Sequence, residues 1–196
     1  FPTRLSSDLP MDSIRYHKSF LRTGFMSMDP RTGHVKAYVG GPDFEHFQYD
    51  MVNLGRRQVG STVKPYLYTL AMEEGMSPCD KTTNQPITLT DGAGRPWSPR
   101  NGSKSRLGEQ VSLRWGLANS NNWISAYLMS LFTPESLVKL MKSFGIRSHL
   151  DPGLALSLGI CDISVAEMVD AYTAFPNKGI RVEPVDRKST RLNSSH

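Results

Sequence analysis

A serine and a lysine three residues apart, Ser61 and Lys64, lie in the stretch Gly-Ser-Thr-Val-Lys-Pro, ahead of an apolar helical pattern. Residues three apart on a helix share a face, with Cβ atoms about 5–6 Å apart. A neutral lysine at that distance can take the serine proton and so make the serine a nucleophile. Because the free pKa of lysine is about 10.4, the site has to lower it. The positive end of a helix N-terminus acts in that direction.

Two flanking residues support placing this pair in the first helical turn. Pro65 is tolerated there but would break a deeper turn, and Gly60 allows a substrate or a neighbouring strand to approach closely. A residue before proline is pushed away from helical angles, so Lys64 is expected to lie in an awkward conformation. A second Ser-x-x-Lys copy, Ser136 to Lys139, has no flanking glycine or proline. We interpret it as part of an ordinary amphipathic helix.

A second candidate motif is Ser120-Asn121-Asn122, which fits Ser-x-Asn and lies between two predicted helices. There, Ser120 is expected to relay protons or to hydrogen-bond Lys64, and Asn122 to hold a substrate amide. Taken alone, the motif also fits an asparagine-rich helix end. Its pairing with Ser61 and Lys64 favours the chemical interpretation.

The elements that would position these residues follow in a simple order. Residues 24–41 predict two strands around a turn, "YLYTLAMEEG" predicts a helix that stops at Gly75, and residues 76–108 predict a long loop. The second half predicts helices, with Ser112, Thr133-Pro134 and Ser164 as their first residues or caps. The apolar run "NWISAYLMSLF" predicts a central helix. Residues 1–19 show little periodicity and are interpreted as a connector.

Composition and charge exclude several classes of function. The net charge is +5, but the tail "DRKSTRLNSSH" contributes +2, and the remaining lysines and arginines alternate with acids. Nucleic-acid binding is therefore not expected. Cys79 and Cys161 lack the spacing of a zinc or redox motif, so two buried free thiols are expected, and a disulfide between them has no support. No metal site or organic cofactor is predicted, and no run is apolar enough to cross a membrane.

Five blocks in chain order resemble the transpeptidase domain of class A penicillin-binding proteins, the bifunctional peptidoglycan synthases. They are "GFMSMDPRTGHVKAYVGG", "RRQVGSTVKP", "WSPRNG", "LANSNN" and "LGICDISVAEMVDAYTAFPNKG". The resemblance implies an α+β fold like that of β-lactamases, with an antiparallel sheet flanked by helices. It implies that Ser61 is the acylated nucleophile, Lys64 the general base, and Ser120 and Asn122 the second motif. The implied substrate is a peptidoglycan stem peptide ending in D-Ala-D-Ala, and β-lactam antibiotics would bind the same site.

The chain departs from the family pattern at its end. The third motif, Lys-Thr/Ser-Gly after the helical block, is absent, and "KTT" at Lys81 lies too early to replace it. We therefore expect residues 20–185 to be a partial domain with an incomplete sheet, and residues 186–196 to be an artefactual tail. We also expect upstream sequence to be missing, because the chain starts at Phe1. In the parent protein the resemblance implies a periplasmic or extracytoplasmic location, behind an N-terminal membrane anchor and a glycosyltransferase domain.

Two alternatives stay open at this point. One is a hydrolase of the same fold, a β-lactamase or D,D-carboxypeptidase, in which water rather than an amine resolves the acyl-enzyme. The other is a non-catalytic domain that binds peptidoglycan or a partner protein. Intact Ser61, Lys64, Ser120 and Asn122 argue against the second alternative, because a binding module has no use for a lysine beside that serine.

Overall fold

A computed structural model describes residues 10–46 and 48–185 of the chain. The described helices are α1 (Pro10–Ser19), α2 (Lys64–Glu73), α3 (Leu113–Ala118), α4 (Asn122–Leu131), α5 (Pro134–Ser143) and α6 (Val165–Tyr172). The described strands are β1 (Phe25–Met28), β2 (Val35–Val39), β3 (Arg56–Gln58), β4 (Lys81–Thr83), β5 (Leu89–Thr90), β6 (Pro96–Trp97), β7 (Gln110–Ser112) and β8 (Asp162–Ser164). Two 3-10 turns span Gly60–Val63 and Leu154–Leu158. None of the helices in these ranges is long and apolar enough to span a bilayer.

The described strands pair two by two, and every pair is antiparallel: β1 with β2, β3 with β8, β4 with β7 and β5 with β6. The predicted hairpin is confirmed, with Phe25 opposite Val39. Its turn is held by Asp29, whose carboxylate accepts from the Arg31 N–H at 2.9 Å, and by Gly33 at φ +73°. Short antiparallel strands among helices confirm the predicted α+β class.

The core is built around α2. Its side chains Tyr66, Leu67 and Ala71 are fully buried. They belong to one hydrophobic cluster with residues of α4 and α5, among them Leu128 and Met141. Helix α4 was predicted to be central, and its buried apolar residues confirm this. The core therefore holds α2, which carries Lys64 at its first position, against the helix that follows Ser120-Asn121.

The predicted helix ends are confirmed by their caps. The side chains of Ser112, Thr133 and Ser164 each accept a hydrogen bond from a backbone N–H of the helix that follows. The Glu167 carboxylate, three residues after the Ser164 cap, accepts from Ser148 and from the Arg147 N–H. Glu167 thus ties α6 to the loop after α5.

Three expectations differ from the structure. Residues 10–19 of the interpreted connector form helix α1; residues 1–9 lie outside the described residues, as does the tail 186–196. The predicted long loop 76–108 contains β4, β5 and β6, because their backbone groups find partners in one another and in β7. Both cysteines are free, but Cys79 is exposed rather than buried, and burial raises the pKa of half-buried Cys161 to about 11.

Candidate active site

Ser61 lies in the 3-10 turn that leads directly into α2, and its side chain is exposed. Lys64 is the first residue of α2, with Pro65 next. Lys64 adopts helical angles, φ −56° and ψ −40°, so the expected departure before proline does not occur. Proline at the second position removes only an N–H that has no partner inside the helix. The change from 3-10 turn to α-helix thus falls between the two predicted catalytic residues.

The turn that carries Ser61 is held from outside by backbone contacts. The Gly60 N–H donates to the Gly159 carbonyl at 3.0 Å, and the Val59 N–H donates to the Cys161 carbonyl at 3.1 Å. From α6, the Tyr172 hydroxyl donates to the Thr62 carbonyl at 2.6 Å. These bonds fix the backbone on both sides of Ser61.

The close approach predicted at Gly60 occurs, but a different glycine permits it. A Cβ on Gly159 would lie 1.9 Å from the Gly60 carbonyl oxygen, whereas a Cβ on Gly60 would meet nothing within 4 Å. Gly60 is needed for its φ of +56°. The sequence placed Gly159 in the block that begins "LGIC", one of the five that carry the family resemblance. It did not predict that Gly159 contacts Gly60.

Lys64 is 1% exposed, and its ammonium group lies against the second motif. Its Nζ donates to the Ser120 carbonyl at 2.6 Å, to Ser120 Oγ at 3.1 Å and to Asn122 Oδ1 at 2.7 Å. Among the described residues, no hydrogen bond joins Ser61 Oγ to Lys64 Nζ. The structure therefore brings three of the four predicted residues into direct contact, and places Ser61 one turn before Lys64 on the same segment.

The electrostatics of Lys64 follow from burial. Burial lowers the pKa of Lys64 to about 8. The sequence indicated a contribution from the helix N-terminus, and the structure adds removal of the ammonium from water as the dominant effect. The three oxygen acceptors favour the ammonium form and limit the drop. Near neutral pH both protonation states of Lys64 are populated, which a general base requires.

The two residues of the second motif sit at a sharp turn between α3 and α4. Ser120 has φ +49°, a left-handed conformation that few residues other than glycine adopt, and it is exposed. Asn122 is the first residue of α4. Its Oδ1 contacts Lys64 and its Nδ2 donates to the Arg100 carbonyl at 2.7 Å. In this structure the Asn122 carboxamide thus holds Lys64, and its role toward a substrate amide stays a prediction.

Asn121 was not predicted to have a role, and the structure gives it a structural one. It is 2% exposed, and its Oδ1 accepts from the Trp123 and Ile124 N–H groups, which makes it the N-cap of α4. Its Nδ2 donates to Asn84 Oδ1 at 2.8 Å. Asn residues favour such caps, so a cap at this helix start was open to prediction; its contact with Asn84 was not.

The second Ser-x-x-Lys copy and the "KTT" segment at Lys81 both have structural roles. Ser136 follows the cap Thr133, and the two hydroxyls lie 2.9 Å apart, while Lys139 is exposed on α5. Lys81 to Thr83 forms β4, which pairs with β7.

An apolar cavity of about 630 Å³ borders the Ser61 turn, and Met26, Thr62, Met168 and Tyr172 are among its lining residues.

Comparison with known proteins shows what this chain is similar to. The family described as "Penicillin binding protein transpeptidase domain" matches residues 23–191. The chain is 34% identical over 167 residues to Penicillin-binding protein 2D of Bacillus subtilis (strain 168), covering 85% of this chain and 24% of that protein. It is 35% identical over 160 residues to Penicillin-binding protein 1A of Rickettsia conorii, covering 81% of this chain and 20% of that protein. The chain thus spans about a fifth to a quarter of these relatives' length.

Solved structures agree with the sequence matches. The crystal structure of Penicillin-Binding Protein 1A from Haemophilus influenzae superposes with a TM-score of 0.76 at 28% identity, covering 84% of this chain and 24% of that one. PonA1 from Mycobacterium tuberculosis, at 23% identity and a TM-score of 0.70 over 82% of this chain and 44% of that one, shares the fold. The family match ends at residue 191, inside the segment assigned to a non-family tail, so that assignment and the domain boundaries stay predictions.

Proposed function

This chain belongs to the penicillin-binding protein transpeptidase domain family, and from that premise we propose that it carries the nucleophile and base of a serine D,D-transpeptidase. The observation that carries the proposal is the buried Lys64 ammonium, held by Ser120 and Asn122 directly after the exposed Ser61. A solvent-shielded lysine with a lowered pKa has a chemical use beside a serine, and none in a packing core. The substrate would be a peptidoglycan stem peptide ending in D-Ala-D-Ala.

The proposed reaction proceeds through an acyl-enzyme. Neutral Lys64 takes the Ser61 hydroxyl proton while Ser61 Oγ attacks the carbonyl carbon of the penultimate D-Ala. The tetrahedral intermediate collapses, the peptide bond breaks, and the terminal D-Ala leaves as an amine after it receives a proton. An amine of a neighbouring strand then attacks the ester, forms the cross-link and restores the Ser61 hydroxyl. A β-lactam ring would react at the first step and remain on Ser61.

Ser120 is proposed to move the proton to the leaving amine. Its Oγ lies 3.1 Å from Lys64 Nζ, within hydrogen-bond reach of the base, and its side chain is exposed toward solvent and an incoming ligand. A hydroxyl can accept one proton while it donates another, so it can link Lys64 to a nitrogen beyond it. The proton taken from Ser61 would thus reach the leaving group without entering bulk water.

The 196-residue chain by itself is proposed to be inactive. No Lys-Thr-Gly or Lys-Ser-Gly follows Ser120-Asn122, so the family's substrate-carboxylate anchor and one side of its oxyanion hole are absent. Loss of one oxyanion donor alone typically slows acyl transfer about 10²–10³-fold. The full-length protein is proposed to act at the extracytoplasmic face of the bacterial membrane.

The test uses the full-length protein that contains this chain and a fluorescent penicillin. We expect a covalent adduct that maps to Ser61 by peptide mass spectrometry and disappears in Ser61→Ala. Lys139→Met, a change in the second Ser-x-x-Lys copy, serves as the matched control and should acylate normally. An equal adduct in Ser61→Ala would refute the proposal, and a folded protein that takes up no penicillin would favour a non-catalytic binding domain.

A second measurement separates transpeptidation from hydrolysis. With nitrocefin the proposed enzyme should release about one equivalent of product and then stall, because the acyl-enzyme waits for an amine. Rapid steady turnover would identify a β-lactamase. With a D-Ala-D-Ala stem peptide and an added amine acceptor, a cross-linked product is expected. If D-Ala is released but only the hydrolysed peptide forms, the protein is a D,D-carboxypeptidase.

A further inference from the structure

A loop that sequence reasoning left without a role closes over the start of α4. Three consecutive residues accept hydrogen bonds from the first two residues of that helix. The Pro99 carbonyl accepts from Trp123 Nε1 at 3.2 Å, and the Arg100 carbonyl accepts from Asn122 Nδ2 at 2.7 Å. Asn101 Oδ1 accepts from the Asn122 backbone N–H at 2.9 Å. We refer to residues 99–101 as the clamp.

The clamp decides which end of the Asn122 carboxamide faces Lys64. A backbone carbonyl can only accept, so the Arg100 carbonyl requires the NH₂ end of Asn122. The oxygen end then points to Lys64 Nζ, 2.7 Å away. If the Asn122 amide were reversed, its NH₂ group would face the Lys64 ammonium, which also can only donate. Its oxygen would then face the Arg100 carbonyl oxygen, which also can only accept. The clamp therefore holds the acceptor that Lys64 uses.

Asn101 is itself held in one orientation. Its Nδ2 donates to the Ser103 carbonyl at 2.7 Å, which leaves its Oδ1 for the Asn122 N–H. That N–H lies at the first position of α4, where no partner inside the helix exists. The N-cap Asn121 serves only Trp123 and Ile124. Asn101 thus completes the capping of α4 at Asn122, whose carboxamide oxygen accepts from Lys64.

We propose that Asn101 is a positioning residue for acyl transfer: it fixes the Asn122 backbone, and through it the Asn122 Oδ1 on Lys64. This inference rests on the proposed function, because it assigns Lys64 the role of base. Loss of the Asn101 side chain frees Asn122 to tilt, and Lys64 loses part of one of its three acceptors. The ammonium form is then less stabilised, so the pH profile of acylation moves to lower pH. The rate at high pH falls for a different reason, because the neutral amine is held less well in place.

The test measures fluorescent-penicillin acylation of the full-length protein from pH 6 to pH 10, with rates expressed per acylatable molecule. Asn101→Ala should acylate about 10- to 100-fold more slowly at high pH, the effect expected of a small misplacement of a reacting group. The midpoint of its pH profile should lie below that of the wild type. Asn101→Asp keeps an acceptor oxygen toward the Asn122 N–H and should acylate faster than Asn101→Ala.

The matched control is Asn177→Ala, which removes another loop asparagine whose Nδ2 donates to a carbonyl, that of Ile180 at 2.9 Å. It should keep both the wild-type rate and the wild-type midpoint. A merely structural role for Asn101 would lower the melting temperature and the acylatable fraction while the rate per molecule and the midpoint stay unchanged; that result overturns the inference. If Ser61→Ala is acylated like the wild type, the proposed function fails first and the inference falls with it.

Discussion

Replacement of Lys64 by arginine tests the proposed base directly. Arginine keeps the positive charge and can still donate to the oxygens of Ser120 and Asn122, but it stays protonated at any pH the protein tolerates. The perturbation therefore removes one property of Lys64, its access to a neutral form. The same property predicts that wild-type acylation rises with pH through about 8, because burial lowers the pKa of Lys64 to about 8 and only the neutral amine accepts a proton.

The magnitude follows from the two pKa values. At pH 8, a lysine with a pKa of about 8 is half neutral. An arginine, whose pKa lies several units higher, is neutral in fewer than about one molecule in 10⁴ at that pH. If a neutral side chain must take the Ser61 proton, Lys64→Arg slows acylation by about 10⁴-fold.

The fold should survive this change. Lys64 is 1% exposed, so the larger guanidinium overpacks its surroundings. Such overpacking typically costs about 1–3 kcal/mol, against about 5–15 kcal/mol of total stability in a native domain. A thermal melt of each variant, read beside the rate of fluorescent-penicillin labelling, separates loss of chemistry from loss of fold.

Lys64→Met is the matched control for charge. It replaces the buried ammonium by an uncharged side chain of similar shape, and it should also abolish labelling. If Lys64→Arg retained labelling within tenfold of the wild type at pH 8, Lys64 would not be the base. A labelling rate that does not change between pH 6 and pH 9 in the wild type would contradict the same reasoning.

Four further variants of the full-length protein test the positions around the site. Asn121→Ala removes the N-cap of α4 and its bond to Asn84, and it should lower the free energy of unfolding by about 1–2 kcal/mol, measured by denaturant titration. Asn122→Ala should instead slow penicillin labelling, with a smaller loss of unfolding free energy than Asn121→Ala shows. Gly159→Ala would place a Cβ 1.9 Å from the Gly60 carbonyl oxygen at a φ of +76°, so it should displace the Ser61 turn and reduce both labelling and melting temperature; unchanged labelling would mean that the Gly159 contact does not position Ser61. Ser136→Ala should label at the wild-type rate. A marked loss of labelling would mean that the second Ser-x-x-Lys copy takes part in acylation.

Much of the local structure was open to prediction from sequence, because its causes lie within a few residues. The β1–β2 turn follows from Asp29 and Gly33, and the starts of α3, α5 and α6 follow from hydroxyl caps at Ser112, Thr133 and Ser164. Apart from Gly33, which supplies a positive φ, each of these signals is a side chain that bonds a backbone group two or three residues away. The α+β class followed from the order of such elements and from the family resemblance.

The contacts that position the site could not be predicted in the same way, because they join distant parts of the chain. Gly60 meets Gly159 through backbone groups alone, and the Asn101 side chain meets the backbone N–H of Asn122, 21 residues away. A backbone carbonyl leaves no mark on the amino-acid sequence. The burial of Lys64 is likewise a property of the packed core, so the sequence predicted a lowered pKa and a partial cause, the helix N-terminus, but not the burial that dominates.

The arrangement around Lys64 also limits how the proposed base can act. An ammonium has three N–H donors, and the structure supplies three acceptors: the Ser120 carbonyl, Ser120 Oγ and Asn122 Oδ1. When Lys64 loses a proton, one of these oxygens faces a lone pair instead of a donor. The carbonyl and the carboxamide oxygen can only accept, whereas the Ser120 hydroxyl can turn its own hydrogen toward Nζ. The neutral form of Lys64 is therefore compatible with this site only because one acceptor is a hydroxyl, which is the chemical requirement that a serine meets at position 120 and an alanine does not.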